Sequence, residues 1–115
     1  MLAGMADLFR VTVVAESDEP VTELEVEALL EHLTAATAVE APVQPADDPV
    51  TLRSDRQGLD VVLLVEADSA DDARERVERA ALTAVAEQVA DAEGGTGAAQ
   101  GLRVETVRAE PAYLP

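Results

Sequence analysis

His32 is the single histidine of the chain, and neither cysteine nor lysine accompanies it. An imidazole titrates nearest to neutrality, so it is the first candidate for a general base. On a helical projection His32 falls beside Glu25 and Ala36, off the stripe formed by Val26, Leu30 and Leu33, which marks it as a surface group rather than a catalyst. Ser17, Ser54 and Ser69 occupy turn or cap positions, so no nucleophile is set against a base. No catalytic residue is assigned.

Asp47-Asp48 and Asp71-Asp72 are adjacent carboxylates that suit a hard cation. Acids beside Pro49 are already explained by turn formation, and acids in the first turn of a helix by the helix dipole. Without EF-hand spacing they read as structural, and no metal ligand is assigned. Gly94, Gly95, Gly97 and Gly101 invite comparison with a phosphate loop. Such a loop joins a strand to the start of a helix, whereas this run follows a helix and precedes a strand. The P-loop lysine and the dinucleotide fingerprint are both missing, so no cofactor is expected.

Arg74, Arg76 and Arg79 interleave with Asp71, Asp72, Glu75 and Glu78. Glu75 and Arg79 stand at the favourable i to i+4 spacing, and the whole reads as a solvated, salt-bridged helix face. Tyr113 is the single tyrosine, in a tail expected to cap the core, with docking into a groove on a partner or on its own domain as the alternative.

The elements that must hold these groups fit one domain, residues 1–110, followed by an extended C-terminal tail, 111–115. At 115 residues the chain can build one core. Apolar residues make up 48%, nearly all Val, Leu and Ala, with one Phe and one Tyr, so the core is aliphatic. The absence of Lys, Ile, Asn, Cys and Trp fits a GC-rich, bacterial coding bias. Lack of cysteine removes disulfides, thiolate nucleophiles and thiolate metal sites together, and agrees with a reducing cytoplasm. No run approaches the roughly 20 apolar residues that cross a bilayer: Val61 to Val65 is flanked by Asp60 and Glu66. The first residues lack a basic segment and a long apolar segment, so a soluble, unexported protein is expected. Eight Arg against 24 acids give a formal net charge of −16, which repels a phosphate backbone or an anionic lipid surface. Neither nucleic acid nor membrane is expected as a partner.

Leu8 to Ala15 alternates with Phe9, Val11, Val13 and Ala15 on one side, the pattern of a strand. Thr22 with Glu25 forms a capping box, and Val21 with Val26 a hydrophobic staple, opening a helix to about Ala36 that buries Val26, Leu29, Leu30 and Leu33. Thr37 to Val43 has short strand character, and Pro42, Pro45 and Pro49 break the next stretch into extended pieces. Val50 to Arg53 reads as a second strand, turning through Gly58 into a third, Leu59 to Ala67, apolar on both faces. Ser69 with Asp72 forms another capping box, opening a second helix to about Ala92 with the inward stripe Ala73, Val77, Ala80, Ala81, Ala84 and Val85. A glycine-rich loop leads to a last strand, Leu102 to Ala109.

This order predicts an α+β fold, the ferredoxin-like βαββαβ arrangement with two helices on one face of a four-stranded antiparallel sheet. Leu8 and Val14 then share the outer face with Val62 and Leu64. An exposed contiguous apolar patch is uncommon on a monomer, which makes these four a dimer face. The expected function is a small acidic interaction or regulatory module acting as a homodimer, with a small metabolite as a candidate ligand. An acidic accessory protein with a basic protein partner, or a small enzyme relying on carboxylates, are the alternatives.

Overall fold

The structure, a computed structural model, describes residues 7–18, 20–53, 57–91 and 102–112. Along the chain it runs β1 (Asp7–Glu16), α1 (Glu23–Glu40), β2 (Val43–Leu52), β3 (Gly58–Ala67), α2 (Ala70–Asp91) and β4 (Arg103–Pro111). The strands form one open antiparallel sheet in the order β2-β3-β1-β4. The described residues form an α+β domain of four strands and two helices.

Two-residue alternation decides which side of each central strand is buried. Phe9, Val11, Val13 and Ala15 of β1 and Leu59, Val61, Leu63 and Val65 of β3 all lie inside. Leu29 and Leu33 from α1 and Ala73, Val77, Ala81 and Ala84 from α2 join them in a single cluster. Both helices therefore pack on the same face. The small side chains of α2 let it lie close to β1, β3 and β4, and burial of each larger side chain contributes roughly 1.5–3 kcal/mol.

The start of α1 is built as its residues dictate. Thr22 Oγ1 accepts from the Glu25 amide at 3.1 Å, and Glu25 Oε1 accepts from the Thr22 amide at 2.8 Å. The helix does not stop near Ala36, however, but continues to Glu40. Thr37 extends the Leu29, Leu33 stripe and is fully buried, so packing overrides the strand tendency of a β-branched residue. The segment with Pro45 and Pro49 belongs to one strand, β2, whose pairing with β3 shifts register between Pro45 and Val50. An edge strand tolerates prolines because one side of its backbone needs no partner.

At α2, Ser69 Oγ accepts from the Asp72 amide at 3.1 Å, but Asp72 returns its carboxylate to the Asp68 amide, at 3.4 Å, one residue earlier than a capping box requires. The last strand reaches Pro111, two residues beyond Ala109. The glycine run Gly94 to Gly101 and Tyr113 lie outside the described residues. Among the described residues no helix is long and apolar enough to cross a membrane.

Candidate functional site

The outer face of the sheet collects the side chains that alternation turns away from the core. In the register of β1 with β3, Leu8 stands opposite Glu66, Arg10 opposite Leu64, Thr12 opposite Val62, and Val14 opposite Asp60. Leu8 with Leu64 and Val14 with Val62 are thus diagonal pairs, joined along β3 into an arc with Arg10 and Thr12 set inside it. Val14, Val62 and Leu64 are half-buried and Leu8 is 36% exposed. The same alternation that selects Leu8 and Val14 also selects Arg10 and Thr12, so sequence reasoning had the signal for a mixed face and left those two out. β4 adds Thr106 opposite Val14, Arg108 opposite Thr12 and Glu110 opposite Arg10.

One end of this face is closed by ion pairs. Arg53 reaches Glu16 at 3.9 Å and Asp60 at 3.5 Å, while Arg103 reaches Glu16 at 3.6 Å, Asp18 at 3.0 Å and Glu105 at 3.6 Å. The Arg53 side chain crosses the position a Cβ on Gly58 would take, so glycine at the start of β3 is what lets it lie over the sheet. Exposed pairs of this kind contribute about 0.2–1 kcal/mol each. They orient the strand ends rather than create a reactive centre.

The arginines of α2 do more than decorate a solvated face. Arg76 Nε donates to both carboxylate oxygens of Asp72, each at 3.0 Å, and Nη1 of the same residue donates to the Glu40 carbonyl oxygen. Arg79 reaches Glu40 Oε1 at 3.0 Å, and Arg74 reaches Glu78 at 3.5 Å. The last turn of α1 carries no basic residue of its own, so cations from α2 meet the negative end of its dipole. The hydrogen bond from Arg76 holds the Asp72 carboxyl below its ordinary value, and Asp72 in turn holds Arg76 above its own.

The groups with catalytic or metal-binding potential stay apart. His32 is half-buried on α1 with Nδ1 shielded from solvent, Asp47 and Asp48 are exposed in the irregular part of β2, and Asp71 and Asp72 lie in the first turn of α2. Among the described residues no three of His, Asp or Glu converge as a metal site would require. What the geometry defines is a small α+β domain with a helix-covered face and a mixed apolar and charged open face. No protein-family model, no curated protein and no solved structure matches the chain.

Proposed function

We propose that this chain is a small non-enzymatic interaction module that works as a homodimer, two copies meeting through the outer faces of their sheets. The arc of Leu8, Leu64, Val62 and Val14, on the face that neither described helix covers, is the observation that supports it. Half-exposed side chains of this size each retain roughly half of the 1.5–3 kcal/mol that full burial yields. Eight of them across a two-fold interface give on the order of 6–12 kcal/mol, against an association cost of about 4–15 kcal/mol. The two nearly balance, so the dimer is weak and reversible, as suits a regulatory contact.

The element order and the central pairing of β1 with β3 support reading the architecture as ferredoxin-like βαββαβ. The lack of cysteine supports a cytoplasmic setting. The separation of His32 from the acid pairs, on different elements, supports a role without catalysis. Sedimentation over a range of concentrations tests the pairing: the wild type passes from monomer to dimer, and Leu64→Glu stays a folded monomer. A wild type that is monomeric throughout, or a Leu64→Glu variant that still pairs, refutes it.

A further inference from the structure

We infer that the cleft along the free edge of β4 binds a small oxyanion, a carboxylate or a phosphate group, between Arg108 and Arg74. The cleft encloses about 480 Å³ and is lined by Thr12, Arg74, Val107, Arg108, Ala109 and Glu110. β4 is an edge strand of the sheet, and among the described residues no further strand pairs with its outer side. α2 supplies Arg74 from below the sheet, and the outer face supplies Arg108 and the Thr12 hydroxyl from above. Val107 and Ala109 make the apolar wall between them.

The state of the guanidiniums distinguishes this place from the rest of the surface. With 24 acids to eight arginines, carboxylate partners are plentiful. Arg53, Arg76, Arg79 and Arg103 each hold one at 3.5 Å or less, or share several. Arg108 makes no ion pair among the described residues, and neither does Arg10. These two are diagonal neighbours, since Arg10 faces Glu110 and Thr12 faces Arg108, which puts them on the order of 7 Å apart and within reach of long side chains. Arg74 is engaged by Glu78 at 3.5 Å, an exposed i,i+4 pair of little strength that a better acceptor displaces. A guanidinium presents paired donors that match the two oxygens of a carboxylate or phosphate.

Two effects oppose binding. The net charge of −16 repels anions at long range, but that field is screened beyond roughly 8–10 Å at working ionic strength, whereas fork contacts act at about 3 Å. Glu110 lines the same cleft and competes for the arginines, with Arg10 as its cross-strand neighbour. Of the residues that line the cleft, Arg74 and Arg108 are cations and Glu110 is an acid, and Glu78 balances Arg74 until an anion displaces it. This inference names the ligand class of the proposed module; the cleft shares Thr12 and Arg108 with the outer face, but Leu64 on β3 does not line it, so titrating the Leu64→Glu variant separates failure of the anion site from failure of sheet pairing.

The test is an amide NMR titration of the full chain with sodium phosphate and, separately, sodium succinate, each against sodium chloride at equal ionic strength. The expected result is saturable shifts at Thr12, Arg74 and the stretch from Val107 to Glu110 with at least one of the two anions, and the anion that binds names the head group. Arg108→Gln should weaken binding by roughly tenfold or more, as loss of a charge-assisted fork does. Glu110→Gln should tighten it several-fold by removing the competing carboxylate, and Arg53→Gln should leave it unchanged. Shifts no larger than chloride produces, shifts spread equally over Arg53 and Arg103, or an Arg108→Gln variant that binds as the wild type does, each overturn the site.

Discussion

Arg76 on α2 donates a hydrogen bond to the main-chain carbonyl of Glu40, the last residue of α1. The same guanidinium is held by Asp72, so one cation neutralises the acidic start of its own helix and completes the end of the other. Glu40 is gripped a second time through its side chain by Arg79. Ion pairs and a main-chain hydrogen bond therefore join the two helices at this end.

A pH dependence arises from the Asp72 carboxyl, which the Arg76 hydrogen bond holds below its ordinary value. A carboxyl depressed in the folded state favours folding above its unfolded value, near 3.9, and that contribution disappears as pH falls through the folded value. The Arg76 value is raised, so its own contribution is constant across the neutral and acid range. Thermal melts between about pH 2 and pH 7 should show the wild type losing stability below about pH 4 more steeply than Asp72→Asn. Asp72→Asn should be less stable than the wild type at neutral pH and converge with it in acid. Parallel curves would assign acid unfolding to other carboxylates.

Thr37 gives a second prediction. Its Oγ1 is fully buried and has no protein partner among the described residues. A buried hydroxyl left unsatisfied costs about 1–3 kcal/mol, and valine matches its shape without the polar atom. Thr37→Val should raise stability in urea melts by about 1 kcal/mol, a shift of roughly 4 °C or more in Tm. A loss of stability would reveal a hydrogen bond made by the hydroxyl in solution.

The interior of β3 gives a third. Leu59, Leu63, Val61 and Val65 are fully buried, and β3 is paired on both sides by β1 and β2. Its amides should exchange slowest, near the global unfolding limit, and Leu63→Ala should cost about 2–5 kcal/mol by leaving a cavity. Fast exchange across Val61 to Val65 would contradict the central place of this strand.

Local signals carried most of what the sequence revealed. The Thr22 and Glu25 capping box, the alternation of β1 and β3 and the alanine stripe of α2 depend on neighbours within a few positions, and each was readable. The last turn of α1 was not, because burial of Thr37 comes from packing that a strand-like local sequence does not encode. Nor was the grip of Arg76 and Arg79 on Glu40, which joins residues 36 and 39 positions apart. On the open face Arg10 and Thr12 were as legible from alternation as the four apolar positions, whereas their place beside Arg108 on the neighbouring strand needed the strand register.

The last prediction concerns how salt acts on the proposed dimer. Two chains of −16 repel each other, and added chloride screens that repulsion once the Debye length falls to about 10 Å near 0.1 M, whereas the apolar gain from the Leu8, Leu64, Val62 and Val14 arc is untouched. Arg10 and Arg108 on the same face work in the opposite sense, because any attraction they find in carboxylates of the second copy is screened as well. With 24 acids against eight arginines the repulsive part dominates. Sedimentation equilibrium should therefore show dimerisation strengthening as sodium chloride rises from about 20 mM to 300 mM, with most of the change at the low end, where the Debye length exceeds 20 Å. Leu64→Glu should remain monomeric at every salt concentration. Dimerisation that weakens with salt would mean that cross-copy ion pairs at Arg10 and Arg108, rather than the apolar arc, hold the two sheets together.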